Sequence, residues 1–252
     1  MAYNTRTTCF DARLLRGLVG TTVTTYDLVS DVELPHSSAV SRTWVITKKL
    51  NERVSPMTDY DVKMGRGSAK TVGKFLCHFA GDPNQIAFMR IYQQIPTTGT
   101  EDADHDTLAR QAVAPGVCGE LEAFKMLQSG GCSAVPRFLG YAESIQGDSD
   151  LLPGGYIRYL VWEKVPGEPL TKEFFWDLDI TARKDIRAKF RDAYKISKII
   201  FDQSTGNLHL SGFRMGWPII DKIEWSKSRY VEFELAKPSE GDWYLHPEKW
   251  QW

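Results

Sequence analysis

The chain has 252 residues, 42% of them hydrophobic and 25% charged, proportions that exclude disorder, collagen-like repeats and coiled coil. Its 31 Lys and Arg against 32 Asp and Glu leave a formal charge of −1, too even for the general positive field that nucleic acid or an anionic membrane calls for. A chain of this length buries a proper core, either as one large domain or as two smaller lobes.

Residues 1–60 carry short β-like runs at 21–26 and 41–47 among polar connections, and read as an N-terminal extension of unclear role. The first fifteen residues lack the apolar stretch of a secretory signal. From Val62 the pattern sharpens. Residues 61–73 read as a Gly-containing turn between extended runs, 75–80 and 86–92 as strands joined by a turn at 81–84, and 96–106 as an acidic loop. A helix is expected after Pro115-Gly116, because Val117, Leu121 and Phe124 recur at spacings of four and three. Gly130-Gly131 ends it. Residues 135–141 and 156–164 read as further strands, the second broken by Val165-Pro166-Gly167. Thr181 then caps an expected helix running to Ile200, with Ile186, Phe190, Ala193, Ser197 and Ile200 on one face. Runs at 208–210 and 218–220 suggest a hairpin. Strands, a helix, strands, a helix and a hairpin in that order predict a two-lobed α+β chain.

Cys9, Cys77, Cys118 and Cys132 form no C-x-x-C pair and the five histidines are scattered, so free thiols in a reducing compartment are expected. No run approaches the ~18 apolar residues that cross a bilayer. The expectation is a cytoplasmic protein with a small-molecule substrate and neither nucleic acid nor membrane as partner.

Gly65-Arg66-Gly67 lets backbone N–H groups approach a phosphate, although an isolated G-x-G serves equally as an ordinary turn. It is no Walker A loop: Gly67 to Gly73 is one residue too long, and Phe75 stands after Lys74 where Ser or Thr belongs. Asp202-x-x-x-x-Asn207 carries a stronger constraint, with Asp221 fourteen residues further on. A carboxylate, an amide oxygen and a second carboxylate at one cleft position a hydroxyl and hold Mg²⁺; singly, each is as readily a turn or strand-end residue. The acidic run Glu101 to Asp106 reads as a cation chelator or a solvated loop, and His209 as an acid/base imidazole or a packed one. Trp217, Trp225, Trp243, Trp250 and Trp252 line a pocket or cover a core.

In order along the chain, Ile86-Ala-Phe-Met-Arg90, Glu120-Leu-Glu-Ala-Phe-Lys-Met-Leu127, Tyr159-Leu-Val-Trp-Glu163-Lys-Val-Pro-Gly167 and Asp202-x-x-x-x-Asn207 followed by Ile219-Ile220-Asp221 together resemble the protein-kinase-like fold. The branch is that of aminoglycoside and choline kinases, and the chain is most similar to short fungal kinase-like proteins, pseudokinases among them. The resemblance covers about residues 60–252. It implies an α+β, two-lobed protein-kinase-like fold with a shortened C-terminal lobe: an N-lobe at 61–165 and a C-lobe at 166–252 behind the extension at 1–60. By the same resemblance Gly65, Gly67 and Lys70 cover phosphates, and Arg90 stands where a strand lysine contacts them. Glu120 is its helix-borne partner, Glu163 to Val165 face an adenine, Asp202 is the catalytic base, and Asn207 and Asp221 ligate the metal.

The chain departs from the family at several positions. Arg90 replaces lysine, Lys70 sits at the third glycine position, Ile200 replaces the catalytic-loop histidine, and Lys222-Ile223 follow Asp221 in place of Phe-Gly or Phe-Glu. The sequence runs 31 residues beyond Asp221, where ordinary members carry several more helices. The face of the 181–200 helix is therefore expected to be covered by residues 1–60, by the Trp-rich tail, or by a second copy in a homodimer. The functional expectation is transfer of phosphate from ATP with Mg²⁺ to a hydroxyl of a small metabolite. The alternatives are a kinase-like fold repurposed for nucleotide-independent acid–base or cyclisation chemistry in secondary metabolism, and a non-catalytic pseudokinase that binds.

Overall fold

A computed structural model of the chain describes residues 12–27, 40–129, 131, 135–193, 198–202, 204–205, 207–211, 225–238 and 246–252. They fall into two units, residues 1–117 with 138–164, and residues 118–137 with 165–252.

The first unit is a closed antiparallel barrel. Its strands are β1 (Thr22–Tyr26), β2 (Ser41–Ser55), β3 (Lys70–Phe79), β4 (Asp82–Gln94), β5 (Phe138–Ile145) and β6 (Tyr156–Glu163), hydrogen-bonded in the order β1-β2-β3-β4-β6-β5. Two short helices sit in its loops, α1 (Asp59–Lys63) between β2 and β3 and α2 (His105–Ala109) after β4. Alternation along each strand sends Trp44, Ile46, Phe75, Cys77, Ala87, Met89, Ile91, Ile157 and Val161 into one buried cluster. Six strands enclose a lumen narrower than the eight-stranded barrels that side chains already fill, so these residues make a solid core rather than a ligand cavity. Burial pushes the Cys77 thiol up to about 12, which makes it a packed neutral group and not a nucleophile.

This architecture corrects the expected fold. The chain is mostly a closed six-stranded barrel with few helices, not a two-lobed α+β protein-kinase-like fold with a shortened C-terminal lobe. The physical reason lies in residues 1–60. They supply β1 and β2, and β2 pairs with β3 from Trp44↔Phe79 to Ser55↔Lys70, so the supposed extension is barrel wall. The register shifts between Ile46 and Lys48 and again between Lys49 and Asn51. Such bulges bend a strand and re-aim its side chains. Beyond them Glu52 is buried at one barrel end, where its Oε1 accepts from Thr71 Oγ1 at 2.7 Å and its Oε2 from Lys49 Nζ at 2.8 Å and the Leu15 N–H at 3.3 Å. That last bond holds Leu15 as a plug in the core. Gly73 makes room for it: a Cβ there would lie 2.8 Å from Leu15 Cδ1.

The seam between β1 and β5 is short, a single pairing of Tyr26 with Tyr141. Side chains reinforce it. Arg42 on β2 grips the Asp27 carboxylate with both terminal nitrogens, and its Nη1 also donates to the Leu139 carbonyl at 3.0 Å. Three glutamines close the opposite loops: Gln93 Nε2 donates to Gln146 Oε1 at 2.6 Å, Gln146 Nε2 to the Gln94 carbonyl at 2.9 Å, and Gln94 Nε2 to the Gln111 carbonyl at 2.8 Å. All three are thereby satisfied away from water.

The second unit contains α3 (Gly119–Ser129), β7 (Glu168–Pro169), α4 (Lys172–Asp177), α5 (Ile180–Ala193), β8 (Lys198–Asp202), β9 (Asn207–Ser211) and α6 (Ser228–Glu232). The carboxylate of Asp179, not Thr181, caps α5, accepting from the N–H groups of Thr181 and Ala182 at 2.7 and 2.9 Å. The expected helix to Ile200 ends early, at Ala193, and Ile199-Ile200-Phe201 belongs to β8. A run of β-branched and aromatic residues favours the pleated strand, where it pairs with Leu208–Leu210. The hairpin therefore forms between β8 and β9, while the run at 218–220 lies outside the described residues. α5 buries Ile186 and Phe190 against Phe175, Tyr230, Leu235 and Trp250, and the rings of Phe190 and Phe233 stand 4.8 Å apart. The Trp-rich tail thus covers α5. Among the described residues no helix is long and apolar enough to cross a membrane.

Candidate functional site

On the outward side of β3, β4 and β6 two cations and two aromatic rings lie together, Trp162 buried and the other three half-buried. Phe75, Met89 and Val161 point into the core, so their neighbours Lys74, Phe88, Arg90 and Trp162 point out. Register brings the four together: Lys74 lies directly opposite Arg90 on the β3–β4 ladder, and Phe88 directly opposite Trp162 on the β4–β6 ladder. Lys74 Nζ sits 3.7 Å from the Phe88 ring centre and 5.9 Å from that of Trp162, and the Arg90 guanidinium 5.2 Å from the latter. The two rings are 6.0 Å apart and tilted by 40°. A cation over a ring face is held by the ring quadrupole, by ~0.5–2 kcal/mol depending on desolvation. What results is two positive groups beside two aromatic rings, a combination whose chemistry suits an anion attached to a flat or apolar body.

Arg90 is the one residue of this cluster that sequence reading singled out. Lys74, Phe88 and Trp162 stand in the segments quoted above without a site role, although K-x-x-x-K at 70–74 already places both lysines on one strand face. The other expected site residues fall in both units, Gly65, Gly67, Lys70 and Glu163 in the first and Glu120, Val165, Asp202 and Asn207 in the second. Gly65 and Gly67 follow α1 with φ of +74° and +99°, and neither has an atom within 4 Å of where a Cβ would stand. Their loop returns to Lys70, which pairs with Ser55 and Gln94. Four strand residues, roughly 13 Å, separate Lys70 from Lys74 and Arg90. Glu163 ends β6, level with Ala87. Val165 is buried in the second unit, as is Glu120, 2% exposed in the first turn of α3.

Asp202 and Asn207 do meet. They face each other as the last pair of the β8–β9 ladder, at the turn end of the hairpin. The Asn207 side is exposed, and its N–H donates to Thr205 Oγ1 at 3.3 Å. Asp221 lies outside the described residues. Among the described residues no group of three or more His, Cys, Asp or Glu is placed to hold a metal ion. Tyr159, the remaining perturbed group of the barrel, is pushed up to about 12 by burial and by the negative charge of Asp150, which keeps its phenol neutral. No protein-family model and no curated protein matches this chain.

Proposed function

We propose that this chain binds a small anionic metabolite on the outer face of β3, β4 and β6, through Lys74 and Arg90 against Phe88 and Trp162. The observation that carries the reading is the direct cross-strand placement of two cations. An anion between them would be met by a guanidinium and an ammonium at once, each able to donate a charge-assisted hydrogen bond. The rings favour a ligand whose charged group is joined to a planar base or ring, as in a nucleotide. Calorimetric titration at fixed ionic strength tests it, with ATP, ADP and the neutral nucleoside adenosine. The phosphorylated ligands are expected to bind and adenosine to bind far more weakly. Lys74→Met and Arg90→Met should each cost about tenfold or more, the scale of one charge-assisted hydrogen bond. Equal binding of adenosine, or indifference to both substitutions, overturns the reading.

A second reading, transfer of the terminal phosphate of ATP with Mg²⁺ to a small hydroxyl compound, is favoured by the facing of Asp202 and Asn207 across the hairpin end. A carboxylate there suits a base and the amide oxygen a metal ligand. Mg²⁺-dependent consumption of ATP that disappears in Asp202→Asn supports this reading. Binding without consumption leaves the first alone.

A further inference from the structure

We infer that the second unit carries an oxyanion site of its own, in which Arg183, Arg187 and Lys237 converge on Trp176 to hold a phosphate group. α5 sets Arg183 and Arg187 four residues apart, hence on one face. Around the Trp176 ring centre the two guanidinium carbons lie at 5.0 and 6.0 Å and Lys237 Nζ at 4.1 Å. The Arg187 guanidinium carbon also lies 5.2 Å from the Phe175 ring centre and 5.4 Å from that of Trp252.

Backbone carbonyls fix the two arginines. Arg187 Nε donates to the Leu235 carbonyl at 2.7 Å, and Arg183 Nη1 to the Trp252 carbonyl at 3.3 Å. The first acceptor is presented by the tight end of α6, where Glu234 takes φ of +59° and the Leu235 N–H returns to the Tyr230 carbonyl at 2.7 Å. Lys237 is held by paired backbone bonds with Gln251.

Two donors remain unanswered. Arg187 is only 5% exposed, and its Nη2 is buried without a hydrogen-bond partner, as is Arg183 Nε. Aromatic rings satisfy the faces of a guanidinium but not the N–H groups on its edge. No Asp or Glu side chain among the described residues pairs with any of the three cations. Glu234, whose carbonyl accepts from Trp176 Nε1 at 3.1 Å, gives its carboxylate to Lys172 at 3.5 Å. The missing component is therefore both an acceptor and a negative charge. A tetrahedral phosphate supplies several acceptor oxygens and up to two charges, and arginine forks match its geometry. Lys237 is exposed and Trp176 half-buried, so the ligand enters beside them. Its source is either free phosphate or a phosphate ester whose body lies on Trp176.

Thermal unfolding of the whole chain, followed while inorganic phosphate is titrated against chloride at matched ionic strength, tests the proposal. A saturable rise in Tm is expected for wild type. Arg183→Gln and Lys237→Gln should each raise the half-saturating concentration about tenfold or more, and Lys237→Arg should restore it. Phenyl phosphate binding tighter than phosphate assigns the ester; equal binding assigns the free ion. Lys74→Met should leave the response intact, because Lys74 belongs to the first unit and the three cations to the second. A wild-type Tm that moves no more than in chloride leaves the two donors to water and overturns the proposal. So does a rise that survives in the Arg183→Gln/Lys237→Gln double variant or vanishes in Lys74→Met.

Discussion

Replacing Gly140 with alanine is expected to lower stability by about 2–5 kcal/mol, the sum of backbone strain and forced overpacking. Gly140 has φ of +137°, a conformation that an L side chain resists, and it sits where β5 meets β1. A Cβ there would stand 2.7 Å from Thr25 Oγ1 and 2.9 Å from the Tyr26 carbonyl oxygen. The second atom is backbone and cannot swing aside. Thr25 is fully buried and accepts from Trp44 Nε1 at 3.0 Å, so pushing it away disturbs the largest core side chain as well. The seam has only the Tyr26↔Tyr141 pairing to lose, which leaves Arg42 holding the edges through Asp27 and Leu139. Urea unfolding should show a lowered midpoint for Gly140→Ala. Gly147→Ala provides the control, because its Cβ would meet only Asp150 Oδ2, at an ordinary 3.7 Å. If the two variants unfold at the same urea concentration, the seam does not depend on a glycine.

The barrel was only half legible in the sequence. Residues 75–80, 86–92 and 156–164 announce β3, β4 and β6 because alternation there is clean and the core residues are large. β2 hides because two bulges break its period: Trp44 and Ile46 are buried, and the next buried residue is Glu52, six positions on, with mostly polar residues between. A fifteen-residue strand therefore reads as a seven-residue fragment, and the β-like runs at 21–26 and 41–47 read as part of an extension rather than as two of the six staves. Nothing local states that β1 and β5 meet; that follows only when all six strands are counted. The ordered short motifs between Ile86 and Asp221 set strand and helix types correctly in several places, but order along a chain does not determine how strands close. The helix to Ile200 failed for a related reason, since the 3.6-residue spacing of its apolar positions ran on by coincidence into a β-branched strand. The candidate sites are cross-strand or cross-loop assemblies. Lys74 meets Arg90, and Arg187 meets Trp252, only after folding, so single residues such as Arg90 and Trp252 are visible in the sequence and their pairings are not.

Removing the Glu52 side chain as alanine is expected to cost about 3–5 kcal/mol, the usual penalty for breaking a buried ion pair from one side. Its side chain is 0% exposed and that of Lys49 9%, so water does not replace what is lost. Three bonds vanish together: the charge-assisted ones from Thr71 Oγ1 and Lys49 Nζ, and the one from the Leu15 N–H that seats the plug. Lys49 also donates to the Ala12 carbonyl, and so tethers the same entering segment. Losing the carboxylate therefore removes the counter-charge of a nearly buried ammonium and loosens Leu15 from the core in one step. Glu52→Gln should fall between wild type and alanine, because its amide keeps one acceptor for Thr71 or Leu15 but no charge for Lys49. Thr71→Val removes a single bond to a charged group and should cost about 1.5–3 kcal/mol. The decisive comparison is Lys49→Met/Glu52→Gln against the two single variants. If buried charge is the issue, the double variant is less destabilised than the sum of the singles, by about 0.5–3 kcal/mol. Strict additivity, or an alanine variant within about 0.5 kcal/mol of wild type, the range of ordinary surface changes, means that the barrel end tolerates water and that Leu15 is held by packing alone.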